Sequence, residues 1–234
     1  MTVGQSAATG SAPGLRERKK QRTRTALLRT ALELFTTKGY EETTVDEIAD
    51  AVEVSQRTFF RYFPSKEAAA FALQQMTEQH FVEALRVRPA EEGPFDALRN
   101  SVLGTWDTIG EAITEIVPVD VHLRMLQVIE STPTLLAAHL RRSLDMEEYV
   151  ARLIADREGL DVDADPRPRV AVACFGSVMR VSGQLWVRGD DTSLDGLRAL
   201  TVTYLDHLAP TLATNWREAA ATPAGHHPAG TDSA

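Results

Sequence analysis

At 234 residues, 43% hydrophobic and 25% charged, the chain has an ordinary globular composition and room for one large core or two small ones. Its one cysteine, Cys174, excludes an intrachain disulfide, and without a run of 18 apolar residues no membrane span and a cytoplasmic location are expected. The net charge of −8 is uneven, because seven basic residues between Leu15 and Arg29 stand against one acid, Glu17, and the acid excess lies beyond residue 70.

Residues 1–14 (MTVGQSAATGSAPG) are small and polar, which predicts a disordered arm and not a secretory signal. The basic stretch that follows, with Lys20 and Arg22 in it, suits contact with nucleic-acid phosphates; the alternative is a solvated tail. Leu27, Leu28, Ala31, Leu34 and Phe35 recur at helical spacing, and Gly39 suits the end of that helix. Thr44 with Glu47 forms a capping box ahead of Ile48, Ala49 and Val52, which predicts a short amphipathic helix. Val54 and Ser55 make a tight connection, with Ser55 a second N-cap. In the helix after it Phe59 and Phe63 face the core, while Gln56, Arg57, Phe60 and Arg61 point outward, and Pro64 ends it. Two short helices in this order read as a DNA-binding helix-turn-helix.

Ser65 caps a longer helix expected to run to about residue 86 as a link to the rest of the chain. After a break at 88–94, helices are expected over 94–114, 119–130 and 133–158, then 167–188, and finally 193–208, stopped by Pro210. From Thr211 a flexible tail is expected. The chain divides as a DNA-binding domain over 15–66, a helical body over 67–210 for ligand binding and dimerisation, and a tail over 211–234. No alternating strand pattern occurs, so the fold class is all-α.

A recognition helix presents its N-terminal half to base edges in the major groove. Arg57 suits guanine, Gln56 suits adenine and Phe60 a thymine methyl, each good pairing being worth about 1–3 kcal/mol of discrimination. The competing readings are a solvated Arg57, and core packing for Phe60 and Tyr62. In the 167–188 helix Ala171, Cys174, Phe175, Val178, Met179, Ser182, Leu185 and Trp186 follow 3–4 spacing, and the opposite side (Val172, Ala173, Gly176) is also apolar. A helix apolar nearly all round is buried on both sides, either in a dimer or as a central core helix. Trp106, His122, Met125, Phe175, Met179, Arg180 and Trp186 are candidates to line an effector cavity, with Arg124, Arg180 and Gln184 as polar anchors; plain core packing is the alternative. Arg180 interrupts an apolar helix and needs an anionic partner, either Asp107, Glu130 or a group on the ligand.

Six histidines show no HExxH spacing, and neither a GxSxG motif nor a glycine-rich phosphate loop occurs, so no catalytic residue, metal site or cofactor is expected.

Residues 22–70 resemble the N-terminal domain of the TetR family of bacterial transcriptional regulators. The resemblance rests on the basic lead-in, ALLRTALELFTTKGYEETTVDEIADAV and SQRTFFRYFPSKEA, with Gly39-Tyr40, Thr43-Thr44 and the aromatic set Phe59, Phe60, Tyr62 and Phe63 in the family's order. It covers the first third of the chain. It implies phosphate contacts at Thr44, Ser55, Thr58, Tyr62 and Lys66, a homodimer on double-stranded palindromic operator DNA, pairing of the last two long helices, and a repressor released when a small molecule tilts the linking helix. An activator, or a helical sensor that no longer binds DNA specifically, stays open. The run RTFFRYF is similar to actinobacterial members with acyl-CoA-like ligands. Many members carry a small residue where Arg57 stands, so base preferences do not transfer.

Overall fold

The computed structural model describes residues 14–213. Among them are ten helices and no strand: α1 (Leu15–Thr37), α2 (Val45–Ala51), α3 (Gln56–Tyr62), α4 (Lys66–Ala70), α5 (Ala72–Arg86), α6 (Pro94–Thr114), α7 (Val119–Ser131), α8 (Pro133–Glu158), α9 (Arg167–Arg188) and α10 (Leu194–Ala213). The arm expected over 1–14, apart from Gly14, and the tail beyond Ala213 lie outside the described residues.

The basic stretch is part of α1, whose first two turns are exposed. Leu27, Leu28, Ala31, Leu32 and Phe35 form the buried stripe of the same helix. The chain leaves α1 through Gly39, whose φ of +105° is open to glycine and strained for other residues. Prolines at the first turns of α6 and α8 sit where a helix has no bond for an N–H. Gly159, at φ +66°, closes α8 in the left-handed region.

Two expectations are corrected. The link to the body is two helices, because the backbone breaks at Phe71. Its buried ring carries the Arg142 guanidinium 5.2 Å from its centroid and lies parallel to His139 at 6.5 Å. The last helix does not stop at Pro210 but continues through it to Ala213, the last described residue; a proline removes one backbone bond without unwinding the turn before it.

Two cores hold the bundle. The first joins α1–α4 to Ile109 and Ile113 of α6, Val121, Met125 and Ile129 of α7, and Leu135 and Ala138 of α8. The second gathers Leu85, Leu98, Val102, Val150, Ile154, Val172, Phe175, Val178 and Leu205 from α5, α6, α8, α9 and α10. The helices of the 15–66 segment, the reader, therefore share apolar packing with the body. Arg29 adds a polar tie, its Nε donating to the Ile116 carbonyl at 2.7 Å and its Nη2 to Glu115 at 3.2 Å, at the C-terminal end of α6. Thr134 donates to Glu41 at 2.6 Å across the same junction.

α9 is long and apolar enough by length and composition to cross a membrane, although Arg180 interrupts its apolar run. In this fold it packs against α6, α7, α8 and α10 and buries Val172, Phe175, Val178 and Trp186.

Candidate DNA interface and effector cavity

Two N-caps, Thr44 and Ser55, start the two short helices that read as a helix-turn-helix. Thr44 accepts the Glu47 amide at 3.2 Å while Glu47 accepts the Thr44 amide at 2.9 Å, closing the capping box. Lys38 also bonds the Glu47 carboxylate and holds it below the usual carboxylate range. Thr43, fully buried, donates to the Gly39 carbonyl at 2.7 Å and anchors the corner before α2. The turn to α3 pivots on Glu53 at φ +55°, with the Val52 and Val54 amides both donating to the Ala49 carbonyl. A left-handed residue was not foreseen there, because the usual signal for it is a glycine.

Ser55 accepts the Thr58 amide at 3.2 Å and begins α3. Phe59 and Phe63 are buried with ring centroids 5.6 Å apart, an anchoring worth about 1.5–3 kcal/mol per aromatic. With that face fixed, Gln56, Arg57, Phe60 and Arg61 come together on the outside, Phe60 being 46% exposed. Phe60 thus presents an exposed ring on the same face as the exposed Arg57 and Arg61.

The hydroxyl residues beside this face are partly engaged. The Thr44 hydroxyl serves its capping box, and Ser55 and Thr58 share one hydroxyl bond at 3.0 Å, which uses one of their two hydroxyl protons. Tyr62 is half-buried, with its oxygen accepting from Arg61 at 3.2 Å. Lys66 differs from the expectation of a phosphate contact. Its ammonium donates to the carbonyls of Tyr40 (2.7 Å) and Thr43 (2.9 Å), approaches that of Glu41 (3.5 Å), and lies 4.2 Å from the Tyr40 ring centroid. Three acceptors and an aromatic face occupy all that an ammonium offers, so Lys66 here ties α4 to the corner before α2. Burial, then the Glu67 and Glu41 charges, push the Tyr40 hydroxyl up to about 12.

The start of α1 lies beside the reader. Arg16, Lys19, Lys20 and Thr23 line one groove with Arg61 and Tyr62, and Arg22 lines another with Val52 and Val54. A helix carrying this charge along the end of α3 provides the electrostatic footprint of a nucleic-acid binder.

α9 presents a second surface, and the sequence stripe is corrected in register. Phe175, Val178, Ser182 and Trp186 are buried within the chain, whereas Val170, Ala173, Val181 and Leu185 form an exposed row at helical spacing.

Between the cores lies a cavity of two adjoining chambers, of about 270 and 220 Å³, that share Gln74, Thr77, Trp106, Glu130, Met179 and Gly183 as walls. The first chamber adds Glu78, Phe81, His139, Glu147, Phe175 and Arg180; the second adds His122, Ile109, Leu126, Trp186 and Leu197. Of the expected lining residues, Trp106, His122, Phe175, Met179, Arg180 and Trp186 are thus together. Met125 is not: it sits on the α7 face turned to α1 and belongs to the first core. Arg124 is exposed and pairs with Asp120, one turn back, at 2.7 Å, and Gln184 lines neither chamber.

Arg180 finds neither Asp107 nor Glu130. Asp107 bonds Arg198, and Arg180 meets Glu147 at 3.8 Å and Ser177 at 3.2 Å. Gly176 makes this possible, since a Cβ there would run into the Glu147 carboxylate. Glu78 pairs with Arg142 at 3.1 Å. His139 Nδ1 lies 3.1 Å from Gln74 Nε2, and its Nε2 stands 3.7 Å from Glu130. Burial pushes the Glu78, Glu130 and Glu147 carboxyls up, opposed by Arg142, Arg188 and Arg180 respectively. Burial, then the Arg142 and Arg180 charges, pull His139 down; burial alone takes His122 to about 4. Gln74, Glu78, His139 and Glu147 were not anticipated from the sequence; the only signal was polar residues falling on apolar helix faces.

The comparisons follow this division. Residues 27–73 match the family model described as "Bacterial regulatory proteins, tetR family", and residues 92–213 match the model of the MftR C-terminal domain. The HTH-type transcriptional regulator TcmR of Streptomyces glaucescens is 46% identical over 209 residues, covering 89% of this chain and 92% of the other. The putative mycofactocin biosynthesis transcriptional regulator MftR of Mycobacterium tuberculosis is 29% identical over 167 residues, 70% of this chain and 79% of the other. Among solved structures, NalD, the secondary repressor of the MexAB-OprM multidrug efflux pump in Pseudomonas aeruginosa, shares the fold at a TM-score of 0.53 and 20% identity, covering 81% of this chain and 96% of that one.

Proposed function

This chain belongs to the TetR family of bacterial transcriptional regulators, which are DNA-binding proteins, and on that premise we propose that it is a homodimeric repressor, released from a palindromic operator by a small molecule. The observation that carries the reading is the outer face of α3, where Gln56, Arg57, Phe60 and Arg61 stand exposed beside the basic start of α1. One such face spans a single half-site, so useful specificity requires two copies about one helical turn of DNA, or a multiple, apart. The exposed row Val170, Ala173, Val181 and Leu185 is the surface on which two copies pair, together with α10. The functional border falls near Lys66, with the reader over 15–66 and the body over 67–210, and the protein works in the cytoplasm without catalysis.

Effector binding in the two chambers reaches the reader by two routes. His139 lines the first chamber and stacks on Phe71, where the link between α4 and α5 bends. α7 supplies Glu130 to the cavity and Met125 and Ile129 to the packing against α1. The effect on operator affinity is limited to the effector's preference between the two spacings of the readers.

Selection from a random DNA pool by the purified chain tests the reading. A palindrome is expected, with affinity reduced about 10- to 100-fold by Arg57→Ala. Recovery of no sequence, with only weak salt-sensitive binding, refutes it.

A further inference from the structure

Resting on the reading of the two chambers as the effector site, we infer that the effector is an apolar molecule bearing a hydrogen-bond donor, a hydroxyl or a protonated amine, and no anionic group, with Glu130 receiving the donor. An anionic group on the ligand is one of the three partners that the sequence leaves open for Arg180, beside Asp107 and Glu130. Arg180 already faces the Glu147 carboxylate at 3.8 Å and donates to Ser177 at 3.2 Å, so an anionic ligand reaching it would stand beside a second negative charge. Glu78 is answered by Arg142 in the same way.

Glu130 is left as the cavity's acid without a paired cation among the described residues, since the Arg188 charge offsets only part of the effect of its burial. It stands 3.7 Å from His139, beyond hydrogen-bond reach, and burial and two arginines keep that ring toward its neutral form. Two further acceptors lie at the same junction. Gln74 Oε1 is buried with no protein partner. The Thr77 hydroxyl sends its own proton to the Leu73 carbonyl at 3.2 Å, leaving its lone pairs for a donor. All three residues border both chambers, beside the Trp106 ring. A ligand without a donor would bury these oxygens unmet, at a cost that an O–H or N–H removes. The second chamber, walled by Ile109, Leu126, Trp186 and Leu197, takes the apolar body.

The experiment titrates the full chain with four two-ring probes that differ in one substituent: 2-naphthylmethylamine, 2-naphthol, 2-naphthoate and 2-methylnaphthalene. Calorimetry gives affinity, and quenching of tryptophan fluorescence reports entry beside Trp106 and Trp186. The amine or the naphthol is expected to bind at least about tenfold more tightly than the other two, and which one leads identifies the donor. Glu130→Gln is expected to weaken the leading probe about tenfold and leave 2-methylnaphthalene unchanged. Naphthoate binding as tightly as the donors, or all four binding alike, overturns the inference while the cavity remains an effector site. Failure of all four to bind overturns the effector site itself. The ranking on the unaltered chain decides the matter even where Glu130→Gln does not fold.

Discussion

Acidification reads out the burial of His122. Its ring lies in the second chamber among Ile109, Ile113, Leu123, Leu126 and Trp186, and burial takes its pKa from 6.5 to about 4. The folded chain holds this ring neutral, whereas the unfolded chain protonates it near pH 6.5, so between about pH 6.5 and 4 the unfolded state binds more protons and stability falls as pH falls. The full shift corresponds to about 3 kcal/mol, and the part lost between about pH 7 and pH 5 is close to 2. Some ring surface stays accessible, so about 1–2 kcal/mol is the expected loss at His122. Urea unfolding of the native chain and of His122→Leu at these two pH values, at one protein concentration, isolates it. The native chain should lose about 1–2 kcal/mol more than the variant on acidification. His139, which titrates in the same direction, and Glu78, Glu130 and Glu147, whose raised pKa values act in the opposite direction, are common to both proteins and cancel in the difference. An equal loss in the two proteins would mean that the chamber is wet and the ring solvated.

Three further outcomes are expected. Lys66→Met should lower stability by about 1–3 kcal/mol while the salt dependence of DNA binding keeps its slope; a slope smaller by about one would restore Lys66 to the phosphates. Glu53→Gly should raise stability by about 0.5–1 kcal/mol, since relief of a left-handed backbone exceeds the added chain entropy of glycine; a loss measured by thermal unfolding would contradict this. Val181→Glu should give monomers in sedimentation experiments and weaken operator binding, and dimers that persist would place the pairing surface elsewhere.

The all-α class and most helix ends were legible because they depend on local chemistry: Thr44 with Glu47, Ser55, Pro94 and Pro133 each announce a helix start within a turn of themselves. The outward face of α3 was legible for the same reason, as Phe59 and Phe63 leave their neighbours no other direction. What escaped depends on distant partners. Lys66 lies 26 residues from the Tyr40 carbonyl it bonds, and nothing local distinguishes it from a cation facing DNA. Met125 and Met179 are alike in sequence, but only the packing of α7 on α1 sends one to the core and the other to the cavity. The Phe71 break was hidden because Ala69, Ala70 and Ala72 around it all favour continuous helix, and the ring's docking against Arg142 and His139 overrides them.

The first core has a consequence for recombining readers and bodies. Leu27, Leu28, Ala31 and Phe35 share their packing with Val121, Met125 and Ile129, and Arg29 closes the end of α6. A graft cut at residue 66 would therefore sever a hydrophobic interior while leaving the polypeptide junction intact. The transplantable unit is discontinuous: the first seventy residues with the facing side of α7 and the turn at 115–117. A hybrid that carries both pieces inherits a fitted interface, and one that carries the first alone meets a foreign surface where its own core should close.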